Sequence, residues 1–216
     1  MFDPDYPLLN RMANYNAGYG TKYPGSALRL SNGIIFGVWF LGNNYRGSGF
    51  FGAYPPQYLA RIGQLFPDTP TQVLHLFSGS LPKDKAYTRF DLVQKAEVQG
   101  DAEELTYFLP KSVFDLIYAD PPYSKEAAKR YGTIMPNRRL VLEQCSEVLR
   151  EGGFVVWLDT VWPIIAKTRL RLVGTIALLR SCNHVVRTAF LFQKPNKGES
   201  QNRNDSTRKS SKRSIR

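Results

Sequence analysis

The tetrapeptide Asp120-Pro121-Pro122-Tyr123 carries the residues best suited to chemistry in this chain. It follows the apolar run Phe114-Asp115-Leu116-Ile117-Tyr118-Ala119, which predicts a buried parallel strand. Two prolines cannot continue the hydrogen-bond ladder of a strand, so the chain must leave the sheet there. It leaves with a carboxylate, backbone carbonyls and an aromatic ring at the carboxyl edge, where open α/β sheets bind ligands. The tetrapeptide is therefore the first candidate for a functional site.

Three other strand ends carry glycine, serine or acidic residues. A strand over residues 73–77 runs into Phe77-Ser78-Gly79-Ser80, and a glycine there permits a tight turn and close approach of the backbone to a ligand. A strand near residues 87–90 ends at Asp91, and one near 96–99 ends at Gly100-Asp101-Ala102. Because the carboxyl ends of parallel strands share one edge, we expect positions 77, 91, 101 and 120 to lie together.

The elements that must position these residues alternate between strands and helices, which predicts an α/β fold with a mostly parallel sheet. Pro55 or Pro56 is expected to start a helix that continues to Phe66. The pattern further predicts helices over 136–150 and 160–170, and strands over 154–158, 172–180 and 185–193. The last two strands form an antiparallel hairpin, giving seven strands. Only about nine residues separate the first two strands, too few for a helical crossover, so either this link is irregular or the second strand is misplaced.

The two ends of the chain differ from the middle. Residues 1–27 are rich in Tyr, Asn, Gly and Pro and predict irregular structure, whereas residues 28–41 predict a hairpin turned at Asn32-Gly33. Residues 196–216 hold almost no apolar side chains and are expected to be disordered. We therefore divide the chain into an N-terminal extension (1–50), a central domain (51–195) and a basic tail (196–216).

Bulk composition excludes several classes of protein. The chain has 216 residues, 43% of them hydrophobic, with no apolar run of 18 residues and no secretory signal, so a cytoplasmic protein without a membrane span is expected. Cys145 and Cys182 lack the spacing of a metal site or a redox motif and predict free thiols in a reducing compartment. His75 and His184 form no ligand cluster with them, so no metal is expected.

The charge balance indicates a polyanionic partner. The formal net charge is +11, and residues 196–216 contribute seven Lys/Arg against two acids, so that more than half of the excess lies before the tail. A basic surface of this kind favours nucleic acid as the partner.

Taken together, residues 42–194 resemble the SAM-dependent DNA amino-methyltransferases with an Asp-Pro-Pro-Tyr motif, the N6-adenine type. Phe77-Ser78-Gly79-Ser80 is similar to the first glycine motif of that family, although Leu81 and Pro82 replace the expected Gly and Thr, and His75 stands where an acid is common. The resemblance implies a Rossmann-like class I methyltransferase fold and S-adenosyl-L-methionine (SAM) as cofactor.

The resemblance also implies individual roles. Asp91 would accept hydrogen bonds from the ribose hydroxyls, and Asp101, followed by Ala102, would contact the adenine amino group. Tyr54-Pro55 resembles the segment that borders the methionine part, with the loop Gly42-Asn43-Asn44-Tyr45 beside it. Asp120 is expected both to border the cofactor and to act with Pro121, Pro122 and Tyr123 in catalysis. Arg180 and Arg187 could meet phosphate or solvent, and the sequence does not separate these alternatives.

The function implied is methylation of an exocyclic amino nitrogen, most simply N6 of adenine in DNA. Two alternatives stay open. Methylation of RNA, for example N2 of guanine, uses the same tetrapeptide in similar enzymes. A non-catalytic nucleic-acid-binding protein on a methyltransferase scaffold is suggested by Leu81, Pro82 and the basic tail. SAM binding separates the last alternative from the others, and nucleoside analysis separates DNA from RNA.

The tail gives the first testable prediction. Deleting residues 196–216 should leave folding intact because no apolar core is lost, and it should flatten the salt dependence of nucleic-acid binding because seven cations are removed. Binding measured against salt concentration for both chains is the test. An unchanged slope would show that the tail does not touch the nucleic acid.

Overall fold

A computed structural model describes residues 2–3, 5–41, 54–180 and 183–196, with the backbone alone at 180, 183 and 184. The predicted loop over 42–45, Cys182 and nearly all of the basic tail therefore lie outside the described residues, as do the side chains of Arg180 and His184.

One mixed sheet of nine strands organises the fold. Its strand order is β1-β2-β8-β9-β7-β6-β3-β4-β5, in which β1 and β9 run against the other seven. The strands are β1 Arg29–Ser31, β2 Ile34–Leu41, β3 Val73–Leu76, β4 Thr88–Asp91, β5 Val98–Gln99, β6 Phe114–Ala119, β7 Leu149–Asp159, β8 Arg171–Arg180 and β9 Asn183–Gln193. The chain is thus an α/β protein with a mostly parallel sheet.

Helices and apolar side chains cover the two faces of the sheet. They are α1 Leu8–Tyr15, α2 Tyr58–Gly63, α3 Leu105–Phe108, α4 Lys125–Arg130 and α5 Arg138–Val148. One core contains Tyr15, Tyr58 and Ile62 from α1 and α2, and the other contains Leu105 and Cys145 from α3 and α5. Alternate residues of β6 enter the two cores, as expected for a strand buried on both faces.

The expected count of seven strands was wrong. Strands β3–β9 are the seven expected, including the antiparallel β8–β9 pair, but the predicted hairpin at residues 28–41 joins the same sheet. Its strand β2 pairs in parallel with β8, with Ile35 opposite Gly174 and Leu41 opposite Arg180. The hairpin covers a strand edge that would otherwise present unpaired backbone groups.

Two helix predictions and the predicted irregular N-terminal segment also need correction. Residues 1–27 are not irregular: α1, a five-residue π-helical turn Asn16–Gly20 and a 3-10 turn Pro24–Ser26 occupy much of this segment. The helix expected from Pro55 begins only at Tyr58, after Gln57 in a left-handed conformation, and ends at Gly63. Residues 160–170 form no helix, because Pro163 disfavours helical geometry at Trp162 and the Asp159 carboxylate accepts from the backbone N–H groups of Thr160 and Val161.

The short link between the first two strands is irregular. Strands β3 and β4 pair in parallel, with Leu76 opposite Phe90, and residues 77–87 contain turns but no helix. The second predicted strand is therefore correctly placed, and the alternative that it was misplaced was wrong. In the described ranges no helix is long and apolar enough to cross a membrane, and Cys145 is a buried free thiol.

A buried ion pair fixes α1 on the core. The Arg11 side chain is 1% exposed, and its guanidinium donates to Asp68 at 2.7 Å and to the carbonyl of Leu65. It also stacks against the rings of Phe66 and Phe154. Because a buried guanidinium needs a counter-charge, the pair ties the N-terminal segment to the end of α2.

Asp68→Ala should therefore lower the free energy of unfolding by about 3–5 kcal/mol, since it leaves the Arg11 charge buried and unpaired. Glu143→Ala is the matched control, because Glu143 forms an exposed pair with Arg139 that should contribute less than about 1 kcal/mol. Urea unfolding measures both. Equal effects of the two variants would contradict the role assigned to Asp68.

Candidate functional site

The candidate site is a cleft at the carboxyl edge of the parallel strands. Leu76 of β3 lies opposite both Phe90 of β4 and Ala119 of β6, so three neighbouring strands end at one level. The segments that follow these strands line a cleft that is partly open to solvent. Most of the predicted residues line it: Phe77, Gly79, Ser80, Asp91, Asp101, Ala102, Asp120, Pro121, Pro122 and Tyr123.

The glycine turn forms one wall. Phe77 and Gly79 both have positive φ, at 55° and 52°, and the Leu81 N–H closes the turn on the Ser78 carbonyl at 2.9 Å. Positive φ is costly for Phe77 and natural for Gly79, so the turn is tight where it faces the cleft.

Asp91 ties this turn to the end of β4. One carboxylate oxygen accepts from the Gly79 N–H at 2.9 Å, and the other accepts from the N–H groups of Val93 and Gln94 at 2.9 and 2.8 Å. A carboxylate offers about four acceptor positions, so one position remains on the oxygen bonded to Gly79. Asp91 thus holds the turn in place and retains one acceptor position.

Asp101 provides a second acceptor at the end of β5. Its Oδ1 accepts from the Glu103 N–H at 2.8 Å and caps the short turn Ala102–Glu104, and this cap does not use Oδ2. Ala102 is buried beneath it. Glu103 also lines the cleft, and its carboxylate accepts from the Asn137 N–H at the start of α5.

The tetrapeptide forms the opposite wall. Pro121 and Pro122 are buried, whereas Asp120 and Tyr123 are half-buried, and the Tyr123 hydroxyl donates to Asp120 Oδ1. Ser124 follows at once and caps α4 by accepting from the Ala127 N–H. The prolines and the cap therefore fix both ends of the short segment that presents the carboxylate and the ring.

Asp120 has an unusual electrostatic environment for a carboxyl group. The pKa of Asp120 is raised to about 6, chiefly by burial and to a smaller extent by Asp159, while Arg187 and the Tyr123 hydroxyl oppose the rise. Burial, together with the negative charge of Asp120, also raises the pKa of the phenols of Tyr54, Tyr58 and Tyr123. The phenols are neutral at physiological pH, so Asp120 is the group in this cluster that titrates near neutrality.

An aromatic cluster lies behind Asp120. The Tyr54 hydroxyl lies 3.1 Å from His75 Nδ1, and the His75 ring stacks on Tyr118 at 4.7 Å between centroids. Burial lowers the pKa of His75 to about 4, so the ring is neutral. Tyr54 also stacks on Tyr58. Tyr54 and Tyr58 of this cluster lie close enough to Asp120 for its charge to raise the pKa of both phenols.

The buried carboxylate of Asp159 is connected to the tetrapeptide through Arg138. Asp159 is fully buried and accepts from Arg138 Nε at 2.6 Å and from the Trp157 indole at 3.1 Å. The same Arg138 also donates to the Tyr123 carbonyl at 3.4 Å. The end of β7 and the start of α5 are thereby connected to the segment that carries Asp120.

Three predicted site residues do not line the cleft. Tyr54 and Pro55 lie behind Asp120, on the aromatic side, and Ser78 is buried in the glycine turn with its hydroxyl unpartnered among the described residues. Among the residues that the structure describes, no group of three or more His, Cys, Asp or Glu is arranged to hold a metal ion.

Several lining residues were missed from the sequence. Leu92, Val93 and Gln94 follow β4, and Tyr131 and Ile134 follow α4, a helix that the sequence analysis did not predict although Ser124 and Glu126 are typical of a helix start. Arg187 was noted but left undecided. Four acids and one guanidinium line the described cleft, so the cleft is acidic in a basic protein.

Comparisons with known proteins add no relationship to these findings. No family model matches the chain, and no curated protein matches it.

The carboxyl group of Asp120 should titrate near pH 6 in the folded protein, and Tyr123→Phe should raise that pKa, because the hydroxyl donates a hydrogen bond that favours the ionised form. Carbon-13 NMR of Asp-labelled protein, assigned with Asp120→Asn, measures both values. Titration of the Asp120 carboxyl near pH 4 in the wild-type chain would contradict the environment described.

Proposed function

We propose that this chain is a SAM-dependent methyltransferase that acts on an exocyclic amino nitrogen of a nucleobase, specifically N6 of adenine in DNA. The observation that carries the proposal is the meeting of Asp120, Pro121 and Tyr123 with Asp91, Asp101 and the Gly79 turn in one cleft. Strands β3–β9, with their reversed last strand, also agree with the class I methyltransferase sheet that the sequence resemblance implies.

The cleft fits SAM in its chemistry. Asp91 and Asp101 each keep an acceptor position, which suits the hydroxyl and amino donors of an adenosine. Phe77, Leu92 and Ala102 provide apolar walls, and the excess of carboxylates favours a cationic ligand. When bound, SAM would supply an electrophilic methyl group on a sulfonium.

The chain's own residues would prepare the attacking nitrogen. An exocyclic amino group is a weak nucleophile because its lone pair is delocalised into the ring. Asp120 would accept a hydrogen bond from one N–H of the amino group, and the Pro121 carbonyl would accept one from the other N–H. These two hydrogen bonds localise the lone pair and stabilise the positive charge that develops on nitrogen. The amino group would replace the Tyr123 hydroxyl at Asp120, since both donate to the same carboxylate.

Tyr123 would then offer its ring to the base. Stacking and the two acceptors together hold the base at attack distance, which contributes much of the acceleration. A base inside a duplex cannot reach such a cleft, so it must be flipped out or single-stranded. The positive charge of the chain would hold the nucleic-acid backbone.

Cofactor binding is tested by calorimetry with SAM on the full chain. Saturable binding is expected, and Asp91→Ala should weaken it by at least about 0.5–1.5 kcal/mol, the contribution of one neutral hydrogen bond, because the variant also releases the Gly79 turn. Asp84→Ala, which removes an exposed acid outside the cleft, is the control. If folded protein binds no SAM, the proposal fails.

Catalysis is tested by methyl transfer. Asp120→Ala should reduce the rate on the order of a hundredfold or more while changing SAM affinity far less, because the carboxylate acts mainly as the amine becomes positive. Tyr123→Ala should weaken base capture by roughly 1–3 kcal/mol, whereas Tyr123→Phe keeps the ring and should stay active. The wild-type rate should rise with pH through about 6, as Asp120 ionises.

Turnover of Asp120→Ala near the wild-type rate would contradict this mechanism. An inactive Tyr123→Phe would assign the function to the hydroxyl instead of the ring.

A further inference from the structure

Arg187 reaches into the cleft from β9. Its neighbour Thr188 lies opposite Asp159, the last residue of β7, so Arg187 stands at the same edge of the sheet as the tetrapeptide. The centre of its guanidinium lies 4.9 Å from the centroid of the Tyr123 ring, within the range of a cation–π contact. It is the one cation among the described residues that line the cleft.

Several charged and titratable groups near Asp120 affect its ionisation. Asp159 of β7 opposes ionisation of Asp120, whereas the Tyr123 hydroxyl and the Arg187 charge favour it. The remaining titratable neighbours are the neutral phenols of Tyr54, Tyr58 and Tyr131. The positive charge of Arg138 is already held by Asp159 at 2.6 Å. Among the residues that the structure describes, the Tyr123 hydroxyl and Arg187 are therefore the two groups that favour the ionised carboxylate of Asp120.

We propose that Arg187 is a positioning residue of this site: its guanidinium holds the Tyr123 ring beside Asp120, and its positive charge favours the Asp120 carboxylate. This inference rests on the proposed function. When a substrate amine takes the place of the Tyr123 hydroxyl, the amine donates to the carboxylate instead, and the charge of Arg187 remains beside it. The guanidinium also covers one face of the ring, which leaves the other face for the base.

The location argues against a phosphate contact for Arg187. A phosphate would have to enter a cleft lined by four carboxylates, where like charges repel it. A guanidinium stacked on an aromatic ring keeps its contact there without a phosphate. Contact with phosphate is nevertheless the natural competing role for an arginine in a basic protein, and the experiment includes it.

The direct test is carbon-13 NMR titration of the Asp120 carboxyl in the full chain, without SAM or nucleic acid. Arg187→Gln should raise the Asp120 pKa by about one unit, a roughly tenfold lower ionisation constant, because the nearby opposite charge is removed. Arg187→Lys keeps the charge and should raise it less. Arg169→Gln is the matched control, since Arg169 pairs with Glu147 outside the cleft and should change nothing.

Because this readout needs neither cofactor nor substrate, it can fail while the methyltransferase proposal stands, and the reverse also holds. If transfer activity is found, its pH profile in Arg187→Gln should shift upward by the same amount as the Asp120 pKa, with the rate recovering at high pH. An unchanged Asp120 titration in folded Arg187→Gln would overturn the inference. If the same variant also showed a weaker salt dependence of oligonucleotide binding, Arg187 would be assigned to a phosphate contact instead.

Discussion

The parallel register of β3 against β6 determines where chemistry can occur in this chain. With Leu76 opposite Ala119, the glycine turn and Asp120 leave the sheet side by side. The register of β4 against β3 adds Asp91 at the same level, where its carboxylate binds the Gly79 N–H. A shift of β6 by one residue would exchange the two cores that its alternate residues enter, so core burial and site geometry are fixed by the same pairing.

The second constraint is electrostatic. A basic chain holds an acidic cleft, and the Asp120 carboxyl in that cleft lies near the phenols of Tyr54, Tyr58 and Tyr123. Burial disfavours the ionised form of Asp120, and two groups of the fold oppose that effect. The Tyr123 hydroxyl belongs to the same tetrapeptide as Asp120, whereas Arg187 belongs to the last strand, β9. The site is therefore completed only when the last strand pairs with β7.

The sequence predicted this arrangement where strong local signals exist. Apolar runs bounded by Gly, Pro and Asp located β3, β6 and the final hairpin, and a shared carboxyl edge follows from parallel pairing. Helix α1 was missed because its buried Arg11 breaks the apolar pattern, and that burial depends on Asp68, which is 57 residues away. The helix predicted over residues 160–170 was wrong. The apolar residues of this segment have a helical spacing, but Pro163 and the Asp159 carboxylate prevent a helix there. Arg187 could not be assigned, because its contact with Tyr123 is created only by tertiary packing.

The central claim is most directly tested by incubating the full chain with methyl-labelled SAM and unmodified DNA or RNA, digesting the nucleic acid and identifying the labelled nucleoside. The account predicts label on N6-methyladenine from DNA, and loss of that label with Asp120→Ala. Label on a guanine from RNA would show that the substrate is RNA and not DNA. Saturable SAM binding with no label in either nucleic acid would contradict the claim that this cleft transfers a methyl group to a base.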